Sequence, residues 1–188
     1  MADAQTLARR TPVLAPAASG RVTQVTPLAP AARFVLRIRD AETVPAGTIA
    51  GFDFSRAINT CSGTPGRFAA RLGPDEWLIV APEAEGAQVC AELEQGLAGR
   101  FFSLVDVGSR NCGIRVAGPH ARDVLNAGIA LDLADTAFPA GSATRTLLGK
   151  ADVVLVRATQ EDSFQVECWR SFAPYVHTYL NEVAQEFA

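Results

Sequence analysis

The chain has 188 residues, 48% apolar and 20% charged, with 17 basic and 20 acidic side chains and a net charge of −3. That length and balance suit one globular domain, or two closely joined halves, with enough chain to bury a sizeable core. The slight negative charge argues against a nucleic-acid or anionic-membrane partner, and no apolar run approaches the length of a membrane-spanning helix.

Residues 1–20 are rich in Ala, Pro and Thr and lack periodicity, so they are expected to form a flexible N-terminal arm. Arg9-Arg10 precedes a stretch that is too short and too interrupted, by Pro12 and Pro16, to act as a signal peptide. Residues 21–26 read as a short strand. Residues 33–39 read as a half-buried one, with Phe34, Leu36 and Ile38 inward and Arg33, Arg37 and Arg39 flanking them. A strand is expected within 46–54, and a loop over 58–66, where Asn59, Ser62, Gly63, Pro65 and Gly66 gather. Strands 67–72 and 77–80 form a hairpin through Gly73-Pro74-Asp75-Glu76, with Pro74 presetting the turn. Residues 83–98 are predicted helical, with Ala87, Cys90, Leu93 and Leu97 facing the core and Gly99 closing the helix. Residues 101–107 return as a strand.

The second part follows the stretch from Asp106 to Leu133. Residues 112–117 alternate and bury Ile114 and Val116. Gly118 is expected at the N-cap and Pro119 at the first position of a short helix carrying Ala121, Val124 and Leu125 inward, with Gly128 ending it in the left-handed conformation. After a turn at 138–141 come strands 143–148, 153–158 and 164–169. The apolar run Val153-Val154-Leu155-Val156 is expected to be covered on both faces. Ser171 is placed as N-cap of the last helix, with Pro174 in its first turn and Phe172, Val176, Leu180, Val183 and Phe187 as its packed stripe.

Residues 71–80 (RLGPDEWLIV) and 157–166 (RATQEDSFQV) both read strand, acidic turn, strand, and a helix follows each. The fold expected is therefore α+β: largely antiparallel sheets with helices packed on them, built from a duplicated β-hairpin–helix unit. Residues 21–188 form a single domain of two similar halves, about 21–107 and 108–188.

Chemistry is sparse. His120 and His177 are the only histidines, and no clustered spacing suggests a metal. There is no GxGxxG after a strand. Gly149-Lys150 resembles the end of a phosphate loop, but Thr144 and Ala151 stand where glycine and Ser or Thr are required. Ser109 has no GxSxG context. The acid pairs Asp75-Glu76 and Glu161-Asp162 fall in turns, where solvated carboxylates are ordinary. Cys61, Cys90, Cys112 and Cys168 form no CxxC and read as buried free thiols, which suits a reducing cytoplasm. Trp77 reads as core. Trp169 reads equally as core or as a partner-facing ring. No catalytic, cofactor-binding or metal-binding residue is assigned.

RLGPDEWL at 71–78, DVGSR at 106–110, RVAGPHARDVLNAGIALDL at 115–133, FPAG at 138–141, RTLLGK at 145–150 and RSFA at 170–173 occur in a specific order. In these motifs the chain resembles the gamma subunit of heterotetrameric sarcosine oxidase, from about Arg67 to the C-terminus. The resemblance implies a fold like the folate-binding domain of aminomethyltransferase, and a non-catalytic subunit working with alpha, beta and delta subunits in the cytoplasm. It implies that the holoenzyme demethylates sarcosine oxidatively to glycine. Hydrogen peroxide is formed and, with tetrahydrofolate, methylenetetrahydrofolate. FAD, FMN, NAD and tetrahydrofolate would reside in the other subunits. The alternative is a stand-alone folate-binding or one-carbon transfer protein of the aminomethyltransferase type. A scaffold subunit should reserve aromatic and arginine anchors for its partners. The candidates are Arg110 in a turn, Phe138 before the Pro139 turn, and Trp169 with Arg170 where the last strand meets the last helix.

Overall fold

Alternation of apolar and polar residues sets most of the strands. The computed structural model describes Leu14 and residues 22–39 and 47–187; apart from Leu14, the arm expected over 1–20 lies outside the described residues. β1 is Gln24–Pro27 and β2 Ala31–Ile38. Two very short strands, β3 (Thr48–Ile49) and β4 (Phe52–Asp53), pair only with each other, so the single strand expected in 46–54 is a small hairpin. Next come β5 (Thr60–Thr64), β6 (Arg67–Arg71) and β7 (Glu76–Pro82), then α1 (Gly86–Gly96) and β8 (Phe102–Asp106). The second part holds β9 (Asn111–Ala117), α2 (Ala121–Asn126), β10 (Ser142–Leu148), β11 (Ala151–Arg157), β12 (Ser163–Trp169) and α3 (Ala173–Ala184).

Ten of these strands form one sheet in the order β1-β9-β12-β11-β10-β5-β6-β7-β2-β8, and every pairing in it is antiparallel. Read inward from either edge, the order repeats: β8-β2-β7-β6-β5 from one side and β1-β9-β12-β11-β10 from the other. The two series meet at one register pair, Thr60 with Ser142. β1, although N-terminal, occupies beside β9 the outer place that β8 occupies beside β2. A chain boundary at 107 therefore does not coincide with the boundary in space.

Each series buries one face under helices. Phe34, Leu36, Trp77 and Ile79 pack against Val89, Leu93 and Leu97 of the α1 segment, with Phe52 and Phe54. Ile114, Val116, Leu155 and Val166 pack against Val124 and Leu125 of α2 and against Val176 and Leu180 of α3. Phe68, Leu78, Val80, Ala143 and Val156 form a third cluster that contains residues of both series.

Several local expectations change. The segment 58–66 is not a loop throughout, because β5 pairs with β6 across the Pro65-Gly66 turn. In α1, Val89 faces the core and Ala87 is exposed, because a 3-10 turn at Glu83–Glu85 shifts the phase of the helix. The N-cap of α2 is His120, not Gly118. Gly118 has φ 128°, and a Cβ there would lie 2.5 Å from the Val22 carbonyl, so it serves a tight turn against the chain leading into β1. Gly128 is not left-handed; a Cβ there would sit 2.8 Å from the Tyr179 ring, so its small size answers a close approach. The N-cap of α3 is Phe172 rather than Ser171, and the Phe172 ring is exposed instead of joining the packed stripe.

Candidate functional site

The sequence-proposed anchors separate into two environments. Arg110 ends the tight turn after β8, its N–H donating to the Val107 carbonyl at 3.0 Å. The Arg170 N–H donates to the Arg110 carbonyl at 2.7 Å, extending the β9–β12 ladder beyond both strands. This ladder fixes Arg110 beside Trp169, and the Arg110 guanidinium carbon stands 5.5 Å over the indole. Arg110 Nε donates to Asn111 Oδ1 at 3.1 Å. Trp169 is 46% exposed, and its ring meets that of Phe172 at 6.3 Å. Arg170 is half-buried behind this corner.

Phe138 is a correction. It is 7% exposed, belongs to the core under α2 and α3, and stacks on Phe164 with ring centroids 6.4 Å apart. The Pro139 turn does not present it outward, because the buried Arg157 donates to the Phe138 carbonyl at 2.9 Å and draws that turn onto the sheet. Trp77 is buried as expected.

A groove of about 440 Å³ runs from Trp169 and Arg110 past Val35, Val105 and Arg145. Val105 is exposed although it lies in a strand. Two of the arginines around the groove are paired, Arg145 with Glu76 at 2.5 Å and Arg37 with Asp75 at 2.8 Å, and Arg110 and Asp152 also line it. The corner thus combines an indole, an arginine and an apolar floor, the residue types that carry binding energy at protein interfaces. A second pocket of about 380 Å³ is lined by Leu28, Arg33, Pro82, Arg115, Phe164 and Gln165, among others.

Arg33, at the wall of this second pocket, belongs to a feature the sequence did not announce. Arg33 of β2 and Glu167 of β12 form a two-pronged ion pair, Nε to Oε2 2.6 Å and Nη2 to Oε1 3.1 Å, with side chains only 2% and 0% exposed. Gln165 donates to Glu167 Oε1 at 2.7 Å, and Arg33 Nη1 donates to the Ala31 carbonyl at 3.2 Å. Burial lowers the Arg33 pKa, but the charge and hydrogen bonds of Glu167 outweigh it and hold the guanidinium above its ordinary value. Arg33 had been expected to flank a half-buried strand; alternation alone gives no sign that a second strand will cover it. β2 and β12 stand six places apart in the sheet order, about 29 Å in a flat sheet. Their side-chain contact shows that the sheet curls back on itself.

The histidines sit apart. His120 Nδ1 meets Asp123 Oδ2 at 3.1 Å and its ring stacks on Phe187. Burial lowers the His177 pKa. Among the described residues, no group of three or more His, Cys, Asp or Glu gathers as a metal would require, and no helix is long and apolar enough to cross a membrane. The four cysteines are free thiols, Cys61 and Cys168 buried and Cys90 and Cys112 half-buried.

Known proteins give this arrangement a context. The model of the family described as "Sarcosine oxidase, gamma subunit family" matches residues 50–186. The sarcosine oxidase subunit gamma of Corynebacterium sp. (strain P-1) is 34% identical over 117 residues, which cover 62% of this chain and 56% of the relative. The matched stretch spans about half the length of the curated gamma subunits it resembles. In fold, the chain is similar to a chain of the heterotetrameric sarcosine oxidase from Corynebacterium sp. U-96, with a TM-score of 0.75, 24% identity and coverage of 92% of this chain and 88% of that one. It is also similar to aminomethyltransferase T of the glycine cleavage system from Bartonella henselae, with a TM-score of 0.62, 15% identity and coverage of 85% and 45%. The α+β fold with its curled antiparallel sheet is thus shared with both.

Proposed function

Because the chain belongs to the sarcosine oxidase gamma subunit family, we propose that it is a non-catalytic assembly subunit of a heterotetrameric sarcosine oxidase. Its partners are the alpha, beta and delta subunits, in the cytoplasm. The complex demethylates sarcosine oxidatively to glycine and forms hydrogen peroxide and, with tetrahydrofolate, methylenetetrahydrofolate. FAD, FMN, NAD and tetrahydrofolate reside in the partner subunits. The two strand series, with β1 completing the second, are the two halves of a duplicated unit; the repeated strand order supports this.

One observation about the molecule supports the assembly role most directly. An indole lies exposed under an arginine at the end of an apolar groove, held there by the backbone bond from Arg170 to Arg110. Trp169, Arg110 and Arg170 are the anchors; Phe138 is not among them. A central Trp or Arg anchor contributes roughly 2 kcal/mol or more to association. Replacing Arg110 and Trp169 together by Ala should weaken co-purification with the larger subunits at least about thirty-fold, while the free subunit keeps its unfolding temperature. Normal assembly of the double variant would refute the assignment of this corner, and loss of the fold would return Trp169 to the core.

A further inference from the structure

Two of the cysteines end up face to face. Cys112, the second residue of β9, is the register partner of Cys168 in β12, and their sulfurs are 3.9 Å apart. The register around them gives their backbone spacing. The Arg170 N–H donates to the Arg110 carbonyl and the Gly118 N–H to the Asp162 carbonyl. Both pairs are in step with Cys112–Cys168. Hydrogen-bonded and non-hydrogen-bonded pairs alternate along an antiparallel ladder, so Cys112 and Cys168 form a hydrogen-bonded pair with α-carbons about 5.5 Å apart. A disulfide spans α-carbon separations of roughly 4.4–6.8 Å. Side chains directly opposite one another share a face of the sheet, with β-carbons toward the wide end of roughly 4.5–5.5 Å in a hydrogen-bonded pair, so closing the bond takes side-chain rotation and a slight approach of the strands toward the roughly 3.5–4.5 Å of a disulfide, without a change of register. Cys61 differs: its sulfur points at the Ser142 and Arg157 carbonyls.

We propose that Cys112 and Cys168 are a reversible dithiol–disulfide site, with Cys112 the sulfur that attacks a peroxide-class oxidant and Cys168 the one that resolves. Their environments differ in the way those roles require. Cys112 is half-buried at the margin of the core, whereas Cys168 is buried. The two sulfurs share a hydrogen bond that either thiol can donate; with Cys168 as donor, that bond and the charges of Arg33 and Arg170 hold the Cys112 pKa below its ordinary value against burial and the charge of Glu167. The same hydrogen bond, together with burial, raises that of Cys168 in the reduced pair; the bond is lost once Cys112 is oxidised, and Cys168 then attacks as its thiolate. In the first step the Cys112 thiolate attacks one peroxide oxygen. The O–O bond breaks, an S–O bond forms, and hydroxide (or alkoxide) leaves and takes up a proton. In the second step the Cys168 sulfur displaces that oxygen as water, which carries away the Cys168 proton. Two thiols are oxidised by two electrons and the peroxide is reduced by two. A small dithiol reductant reverses the bond by exchange and becomes a disulfide itself. Cys168 and Trp169 point to opposite faces of β12, so a partner seated on the indole does not by that contact cover the thiol pair.

The test uses the full chain, treated with hydrogen peroxide in slight excess, then alkylated and mapped by mass spectrometry without reduction. The expected product has lost two hydrogens, joins the Cys112 and Cys168 peptides, and reverts with dithiothreitol, while Cys61 and Cys90 are alkylated as before. Cys168→Ser should accumulate a sulfenic acid at Cys112 that dimedone traps, and Cys112→Ser should give neither crosslink nor adduct. Equal alkylation of Cys112 and Cys168 with and without peroxide would overturn the proposal, as would a crosslink to Cys61 or Cys90. A dimedone adduct on Cys168 in the Cys112→Ser variant would overturn the assignment of roles.

Discussion

Removing one partner of the Arg33–Glu167 pair is the sharpest test of how the sheet is held. Both side chains are almost wholly buried, and Glu167 accepts from Arg33 at 2.6 Å and 3.1 Å and from Gln165 at 2.7 Å. Glu167→Leu removes the partner that holds the Arg33 pKa up against burial, yet a guanidinium is too strong a base for burial to neutralise, so Arg33 is left charged and unpaired. Arg33→Met strands the Glu167 carboxylate in the same way. Breaking a buried pair by deleting one member costs about 3–5 kcal/mol, roughly a hundred-fold to several-thousand-fold in the folding equilibrium. Against a whole stability of about 5–15 kcal/mol, either single variant should be close to unfolding. The double variant Arg33→Met with Glu167→Leu has no stranded charge and keeps similar volume, so it should recover most of the loss. Urea unfolding followed by far-ultraviolet circular dichroism reads all four proteins, and an unchanged dependence on urea would show that the compactness of the end states is unaltered. Single variants that cost less than about 1 kcal/mol, or a double variant whose cost is the sum of the singles, would show that the pair is solvated and that the curl is held by packing alone.

Other outcomes follow from the same geometry. Gly113→Ala should destabilise by about 1–3 kcal/mol, because its Cβ would lie 2.6 Å from Glu167 Oε1 and 3.1 Å from Arg33 Nη2; a neutral result in urea would mean that β9 yields at this point. Leu125→Ala should cost about 2–5 kcal/mol, since the side chain is fully buried on the inner face of α2; a cost below about 0.5 kcal/mol is that of a surface position. Burial lowers the His177 pKa below the ordinary histidine value of 6.5, so the unfolded chain takes up the proton first as pH falls. Stability should be complete above pH 6.5 and decline below it, and His177→Gln should flatten that decline; an unchanged slope in chemical unfolding at pH 7 and pH 5 would show that the ring is solvated.

The elements carried by alternation or helical spacing were legible in the sequence. β2, β6, β7, β9, β10, β11 and β12 are where periodicity puts them, and Val153–Val156 is an apolar run because α3 packs on one face and the third cluster on the other. β5 was hidden because Gly63 and Ser62 are turn-forming residues by composition, yet here they pair with Phe68 and Ala69. Helix starts were misplaced by one or two residues because Gly118 and Ser171 have cap-like chemistry, while the chain uses Gly118 to approach Val22 closely. Of the residues proposed as anchors, Arg110 and Trp169 are exposed as turn and strand-end positions lead one to expect whatever the tertiary fold, and Arg170 is half-buried. Phe138 was misread for the converse reason. Its exposure depends on Arg157, a charge that sequence reasoning would leave at the surface but that the structure buries under Asp135 and the Phe138 carbonyl.

Some of the arginines are buried and others exposed, and this links the fold to the surface it offers. Arg33 and Arg157 are buried and donate to carboxylates and carbonyls brought from distant parts of the chain. Arg110 is held by the ladder at the end of β12 with its guanidinium over an exposed indole. Glu167, Cys168 and Trp169 are consecutive residues of that strand: the first closes the curl, the second faces Cys112 and the third faces solvent. Because strand side chains alternate while the backbone is continuous, a shift of β12 that broke the buried pair would also displace the indole. The exposed corner is therefore tied through one strand to the buried pair beneath it, and an anchor pre-positioned in this way spends less conformational entropy on docking.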